Sequence, residues 1–184
     1  MRLPIQSARL VLREMAAADW QAIHAYNRAP EFHRFLPFAP PTRETTRGFV
    51  ALCVARARED PRRHFDIVLQ ERGFREVVGT LRLSLRGRGS GDVGYAIRPE
   101  SWNRGFATEA VAALLAAARV PLGLGEIWAT VDPDNAASRR VMEKLGFRRL
   151  AGEAGAPIKP GRPPSLVYLR HEHASAESIS ERAV

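Results

Sequence analysis

The period of the apolar positions changes several times along this chain, and each change marks an element. Residues 7–13 (Ser-Ala-Arg-Leu-Val-Leu-Arg) alternate enough to read as a first strand. Asp19 then stands where it can cap a helix carrying Trp20, Ile23 and Tyr26. Residues 42–59 predict a helix capped by Thr42, with Phe49, Leu52, Cys53 and Arg56 on one face. Residues 64–70 and 77–85 read as the strands of a hairpin, with Gly73 supplying the turn. The glycine-rich run 87–91 predicts a flexible loop into a strand at 92–98, which Pro99 ends because proline cannot donate to a ladder. At 107–119, Val111, Leu114, Leu115 and Ala118 fall at helical spacing.

Pro121, Gly123 and Gly125 break the pattern before a strand at 127–131. The next helix runs to Leu145, with Ser138, Val141, Met142 and Leu145 on one face and Arg139, Arg140, Glu143 and Lys144 on a solvated one. Gly146 is its expected C′ residue, with Phe147 packing back. A last strand pair is expected at 147–150 and 166–170, joined by a Gly- and Pro-rich loop of the length that often carries function. The segment 29–41 mixes Glu31, Phe32, His33, Phe35 and Phe38 with prolines, and reads equally as a pocket wall or as a bent connector packing its rings inward. The whole predicts one domain over 1–173, followed by a small polar tail at 174–184 that should fray.

Composition narrows the class. At 184 residues, 45% hydrophobic and 26% charged, the chain has the make-up of a soluble globular domain. No apolar run approaches a membrane span, and the first residues lack the apolar core of a signal peptide, so a cytoplasmic protein is expected. Cys53 has no second cysteine to pair with and reads as a core residue. The net charge of +8 comes almost wholly from arginine, since only Lys144 and Lys159 are lysine. Those arginines are scattered, and no basic helix interleaved with aromatics is present, which argues against nucleic acid as the main partner and leaves a field that attracts anions. The histidines (His24, His33, His64, His171, His173) show no metal-ligand spacing.

The richest chemistry lies between the strand at 92–98 and the helix at 107–119. A strand, a Gly-containing turn and a helix N-terminus make an anion site, because the first N–H groups of the helix lack intrahelical partners and carry the positive end of its dipole. Gly105 lets a phosphate approach the backbone, and Arg104 adds charge. The spacing is neither that of a Walker loop nor that of a dinucleotide fingerprint, so pyrophosphate is expected without a magnesium-bound triphosphate.

Three motifs, in order, carry a resemblance. Val93-Gly-Tyr-Ala-Ile97, Trp102-Asn-Arg-Gly-Phe-Ala-Thr-Glu-Ala110 and Asn135-Ala-Ala-Ser138 with Glu143-Lys-Leu-Gly-Phe147 resemble the GNAT acetyltransferase superfamily. More narrowly they resemble its RimJ/RimL-type N-acetyltransferases, to which Arg9-Leu-Val-Leu-Arg13 with Asp19-Trp20 is also similar. The likeness spans residues 7–171. It implies an α+β, three-layer fold: a central mixed, mostly antiparallel sheet flanked by helices, with a splayed central strand pair. It implies acetyl-CoA as co-substrate and no metal.

The family's phosphate loop, Q/R-x-x-G-x-G/A, falls on residues 102–107, with Trp102 replacing the first position and leaving Arg104 more of the cationic role. By the resemblance, Asn103, Arg104, Gly105, Phe106, Ala107 and Thr108 surround the pyrophosphate. Tyr95, Ala96, Ile97 and Arg98 pair with the pantetheine amides as a sheet edge pairs with a peptide. Asn135 and Ser138 reach the arm and the thiol.

The implied chemistry is attack of a neutral amine on a thioester. The Ile97 N–H is the expected oxyanion donor. Many relatives carry a tyrosine acid where this chain has Met142; the RimJ/RimL-like serine matches Ser138, as thiol contact or acid. Asp92, Glu31, His33 and Asp132 are the candidate bases, Asp92 at a position often acidic in the family though equally readable as a turn residue. The acceptor implied is a primary amine, first a protein N-terminal α-amine as in RimJ/RimL-like enzymes, otherwise a polyamine or aminoglycoside. A non-catalytic acyl-CoA-binding module is the reading from another class. No membrane partner is expected, and monomer and homodimer both stand.

Overall fold

The computed structural model describes residues 1–36, 39–87, 89–157 and 160–171. The tail at 174–184, Phe38 and His173 therefore lie outside the described residues. In chain order the elements are β1 (Ile5–Gln6), β2 (Leu10–Glu14), α1 (Trp20–Asn27), α2 (Arg43–Arg56), β3 (His64–Glu71), β4 (Val77–Gly87), β5 (Ser90–Ile97), α3 (Phe106–Ala118), β6 (Glu126–Val131), α4 (Ala136–Lys144), β7 (Arg148–Gly155) and β8 (Ser165–His171). The strands form one eight-stranded sheet in the order β1-β2-β3-β4-β5-β6-β8-β7. Neighbours are antiparallel except β5 and β6, so the sheet is mixed and mostly antiparallel, as expected. Among the described residues no helix is long and apolar enough to cross a membrane.

Strand alternation sends side chains to two covered faces. Phe65, Ile67 and Leu69 of β3 join Leu81, Leu83, Val93 and Ile97 in a core closed by Val111, Leu114 and Leu115 of α3 and Met142 of α4. The intervening Val68 points the other way, into a second cluster with Ile23 and Tyr26 of α1, Phe32, and Val50 and Cys53 of α2. Burial of these side chains in two layers, at about 1.5–3 kcal/mol for each large residue, is the main force holding both helix layers to the sheet. Gly79 is needed where β4 crosses β5: a Cβ there would run into the Ala96 carbonyl oxygen.

Several boundaries depart from the sequence reading. The opening strand is two strands, β1 and β2, with Ser7 turning the chain through its N–H to the Leu10 carbonyl at 2.9 Å. Asp19 does not cap α1; its carboxylate turns back to Arg13 at 2.7 Å and to the Ala16 N–H at 2.7 Å. Thr42 does cap α2, accepting from the Thr45 N–H. The buried stripe of α2 is Thr46, Val50 and Cys53, and Phe49 and Leu52 are 44% and 47% exposed. Thr46 tolerates burial because its hydroxyl donates to the Thr42 carbonyl at 2.9 Å. Ser90 and Gly91 belong to β5 rather than to a loop. β7 runs on to Gly155 past a large bulge, advancing from Arg149 to Ala154 while β8 moves only from Tyr168 to Leu166. Segment 29–41 takes both expected roles: Phe32 packs on Tyr26, while Phe35 and Pro40 face a cavity.

Much of the arginine excess is held in ion pairs: Arg13–Asp19, Arg62–Glu14, Arg86–Asp92 and Arg98–Glu76 among them. Glu109, in the first turn of α3, locks that helix to the turn between β1 and β2. It accepts from the Ser7 hydroxyl at 2.7 Å, the Arg9 N–H at 2.6 Å and Arg9 Nε at 2.7 Å. Burial acts to raise its pKa, but these donors outweigh burial and hold the carboxyl below its ordinary value. Its stabilising effect is therefore full above the unfolded pKa of about 4.3 and is lost as pH falls through the lower folded value. Glu109→Gln should destabilise the fold by about 1–2 kcal/mol, lowering Tm by roughly 2–8 °C near neutral pH, with the difference shrinking in acid. Thermal melts of both proteins across pH check this.

Candidate active site

The turn before α3 is built as a cradle. Asn103 and Gly105 both adopt left-handed backbone, at φ 59° and 79°. Two left-handed residues flanking Arg104 bend successive N–H groups inward, a concavity that suits anions. No side chain caps α3, and its first intrahelical bond runs from the Glu109 N–H to the Gly105 carbonyl at 3.1 Å, which leaves the N–H groups of Phe106, Ala107 and Thr108 without an intrahelical acceptor. The Trp102 indole anchors the turn by donating from Nε1 to the Ile97 carbonyl at 2.6 Å.

The charge at this turn differs from expectation. Arg104 bonds Glu71 and lies 4.5 Å above the Phe106 ring, so its guanidinium is engaged and does not line the cavity. Phe106 is 1% exposed and serves the core beneath it. Arg9, distant in sequence, stands beside it, likewise paired with a glutamate and outside the cavity lining. It donates to the Arg104 carbonyl at 2.8 Å, and its Nη2 lies 3.4 Å from where a Cβ on Gly105 would sit. Nothing in the local sequence signals Arg9, since the turn before β2 and its lock to Glu109 deliver it.

Next to this turn the sheet opens. β5 and β6 pair only at Ser90↔Glu126, Gly91↔Ile127 and Asp92↔Trp128, although both strands continue. On its other side β5 stays paired with β4 as far as Gly79↔Ile97. The Arg98 N–H donates to the Val78 carbonyl at 2.9 Å, which fixes the phase of that antiparallel ladder. By strict alternation the peptide groups of Ala96 and Arg98 face β4, and those of Val93, Tyr95 and Ile97 face the opening. Of the four residues assigned to the pantetheine arm, then, Tyr95 offers its N–H and carbonyl to the opening and Ile97 its N–H alone, since the Ile97 carbonyl is taken by Trp102. Ala96 and Arg98 offer neither, and the Arg98 side chain is taken by Glu76 at 2.7 Å and Ser101 at 2.9 Å.

One cavity of about 1270 Å³ joins these parts. It is lined by Tyr95, Ala96 and Ile97 of the strand, by Asn103, Gly105, Ala107 and Thr108 of the turn, and by Asn135 and Ser138 of α4. Asn135 caps α4, its Oδ1 accepting from the Ser138 N–H at 3.0 Å. The Ser138 hydroxyl lies 2.9 Å from the Tyr95 hydroxyl on the opposite wall. Burial pushes the Tyr95 phenol up to about 12, against the pull of that hydrogen bond, so it is protonated at neutral pH. Met142, one turn on, is 1% exposed and belongs to the core.

The candidate bases separate. Asp92 lines the cavity where β5 and β6 part. Burial raises its pKa, and Arg86, bonded at 2.7 Å, and Arg82 only partly offset that. Asp132 also lines the cavity but is clamped: Arg162 grips both its oxygens at 2.7 and 3.0 Å, and the Asp134 N–H adds a third donor. The hydrogen bond from Arg162 is the main cause that holds its carboxyl below the ordinary range, which makes it a poor base. His33 is buried away from the cavity, with Nε2 on the Asn27 carbonyl at 2.5 Å. Glu31 lines the cavity's outer part. Asp66, unremarked in the sequence, also faces it from β3, 6% exposed and with Oδ2 lacking a hydrogen-bond donor. Cys53, beside Asp66, is pushed up to about 12 chiefly by burial and is no nucleophile. Among the described residues no His, Cys, Asp and Glu group has the geometry to hold a metal ion.

Residues 9–148 match the family described as Acetyltransferase (GNAT) domain. The uncharacterized N-acetyltransferase YnaD of Bacillus subtilis is 30% identical over 146 residues, covering 79% of this chain and 82% of that protein. A GNAT-family acetyltransferase structure from Bacillus anthracis superposes with a TM-score of 0.77 at 27% identity, over 91% of this chain and 97% of that one. Mycobacterium smegmatis RimJ, solved with CoA-disulfide, has the same fold at TM-score 0.75 and 24% identity, over 94% and 84% of the two chains.

The turn geometry makes a direct test. Gly105→Val places a β-branched residue at φ 79°, which such residues scarcely adopt, and puts bulk into the cradle. CoA affinity measured by calorimetry should fall at least tenfold, while the variant retains a cooperative melt.

Proposed function

The chain belongs to the GNAT acetyltransferase family, and from that premise we propose that it transfers the acetyl group of acetyl-CoA to a protein N-terminal α-amine. The observation that carries the reading is the union, in one cavity, of an uncapped helix N-terminus, an unpaired strand edge and a serine hydroxyl. The pyrophosphate of acetyl-CoA lies in the cradle of residues 103–108, held by its N–H groups within the field of Arg9 and Arg104. The pantetheine arm runs along the free edge of β5, bonding the peptide group of Tyr95, with Asn135 on the facing wall. The thioester sits beside Ser138.

Asp92 takes the amine's proton, directly or through one water, and its raised pKa makes it a better base than an ordinary carboxylate. The Ile97 N–H, turned to the opening, donates to the oxyanion as the tetrahedral intermediate forms. When that collapses, the C–S electron pair goes to sulfur and Ser138 hydrogen-bonds the thiolate.

The α-amine is favoured over lysine by acidity. Its unperturbed pKa is about 7.7–8.0 against about 10.4, so a modest base suffices near neutral pH. The acceptor enters between Phe35 with Pro40 and Ala156 with Pro157, an opening whose apolar walls suit a peptide end. The resemblance of the three motifs to RimJ/RimL-type enzymes implies the same acceptor class. A polycation is less well served. Arg86 and Arg162 already hold Asp92 and Asp132, and Arg82, Arg140 and Lys144 line the same cavity.

Competitive acetylation of a peptide with one free α-amine and one internal lysine, read by mass spectrometry, should modify mainly the α-amine. Dominant lysine modification, or rapid polyamine turnover without peptide turnover, would reject the acceptor. Asp92→Asn should lower kcat/KM by about 10- to 100-fold with acetyl-CoA affinity retained. The wild-type kcat/KM should fall as pH drops through the amine's pKa, and again where Asp92 protonates, above the ordinary carboxylate value.

A further inference from the structure

Tyr95 enters the proposed function only through its peptide group, yet its side chain reaches across the opening. The ring packs against the core, and the phenol oxygen meets Ser138 of α4 at 2.9 Å. Strand and helix are the two walls of the cleft, so this contact joins them at the depth where Ser138 stands. We propose that Tyr95 is the positioning residue for Ser138, donating to its Oγ so that the serine's one hydrogen is aimed into the cleft at the thiol. The inference rests on the reading of Ser138 as the thiol contact.

Hydrogen-bond arithmetic sets the direction. A serine hydroxyl has one hydrogen and two acceptor sites, and a helical serine commonly turns that hydrogen back onto a carbonyl of the preceding turn. Ser138 does not: its backbone N–H goes to Asn135 Oδ1, and its hydroxyl meets Tyr95 alone. A phenol is the stronger acid of the two, so the favoured arrangement has Tyr95 donating and Ser138 accepting. The serine's hydrogen is then left for the cleft.

As the C–S bond breaks, negative charge gathers on sulfur and draws on a chain of two hydroxyls, Tyr95 to Ser138 to sulfur, whose dipoles reinforce each other. Neither residue loses a proton. The electron pair leaves on sulfur, the amine's proton passes through the base to solvent, and water protonates the released thiolate. Tyr95 takes up on the strand wall the task of supporting charge at sulfur, which the buried Met142 cannot perform from the helix.

The test is a double-mutant cycle in the full chain with chemistry shown to be rate-limiting. Tyr95→Phe keeps the ring and removes one hydroxyl; kcat should fall about 2- to 12-fold, with acetyl-CoA affinity unchanged within twofold. Ser138→Ala should cost more, about 5- to 150-fold. The double variant should lose no more than Ser138→Ala alone, because Tyr95 acts only through Ser138. Undiminished kcat in Tyr95→Phe, an equal loss in affinity, or losses that multiply would overturn the inference while leaving the Ser138 reading intact. Undiminished kcat in Ser138→Ala would overturn that reading and this one together.

If Tyr95→Phe does not fold, a ring-fluorinated tyrosine at position 95 gives the second measurement. Its more acidic phenol ionises, and stops donating, at lower pH. The alkaline fall of kcat should therefore move to lower pH than in the wild type, and an unmoved profile would overturn the inference.

Discussion

A parallel strand pair that stops early is the constraint on which the site depends. β5 and β6 share three residue pairs and then separate, each keeping its antiparallel neighbour, β4 or β8. A buried strand edge with free N–H and C=O groups is costly unless something bonds it. Here the edge is the feature that a peptide-like ligand arm can complete. The antiparallel neighbours hold the edge rigid, Gly79 lets β4 lie close against it, and Trp102 ties its last carbonyl to the phosphate turn. The cradle and the strand edge are thus one rigid unit rather than two adjacent sites.

The charge distribution follows a second logic. A chain with a net charge of +8 has arginine in excess of its carboxylates, yet several arginines are locked in pairs that organise turns. Arg9 and Arg104 sandwich Phe106 from 4.8 and 4.5 Å while each holds a glutamate. Their charge therefore stays near the cradle at fixed positions instead of sweeping the surface on flexible arms. Exposed pairs of this kind add little stability, typically below about 1 kcal/mol each, so their geometry matters more than their energy.

The fold was legible wherever period alone decides. The strand at 92–98 and the helix at 107–119 came within two residues of β5 and α3, because Val93, Tyr95 and Ile97, and Val111, Leu114 and Leu115, fit only one period each. The mostly antiparallel sheet and the GNAT membership were readable because three motifs stood in order. What failed were features set by partners distant in sequence. The face of α2 was misplaced because Phe49 outranks Thr46 in hydrophobicity, and only the Thr42 carbonyl shows why Thr46 can be buried. Arg104 looked like a free phosphate ligand because Glu71 is invisible from the turn. Asp132 looked like a base because Arg162 approaches from the β7–β8 connection. Ladder phase, which separates Tyr95 and Ile97 from Ala96 and Arg98, needs one observed hydrogen bond and cannot be read from composition.

The Asp132 clamp also explains how two irregular segments make one mouth. Arg162 holds Asp132 and Asp134 beyond the end of β6 and lies 5.7 Å from the Phe35 ring. One guanidinium thereby joins the β7–β8 connection, the entry to α4 and the segment after α1. Asp132 is 1% exposed, so removing Arg162 would leave a buried carboxylate without its counter-ion rather than merely loosen a surface pair. The residues proposed to meet acetyl-CoA stand on or next to β5, α3 and α4, which packing fixes. Those proposed to frame the acceptor stand on loops, which the clamp ties together. Rigid elements for the shared co-substrate and tethered loops for the acceptor are the arrangement expected where one chemistry is fixed and the acceptor differs among family members.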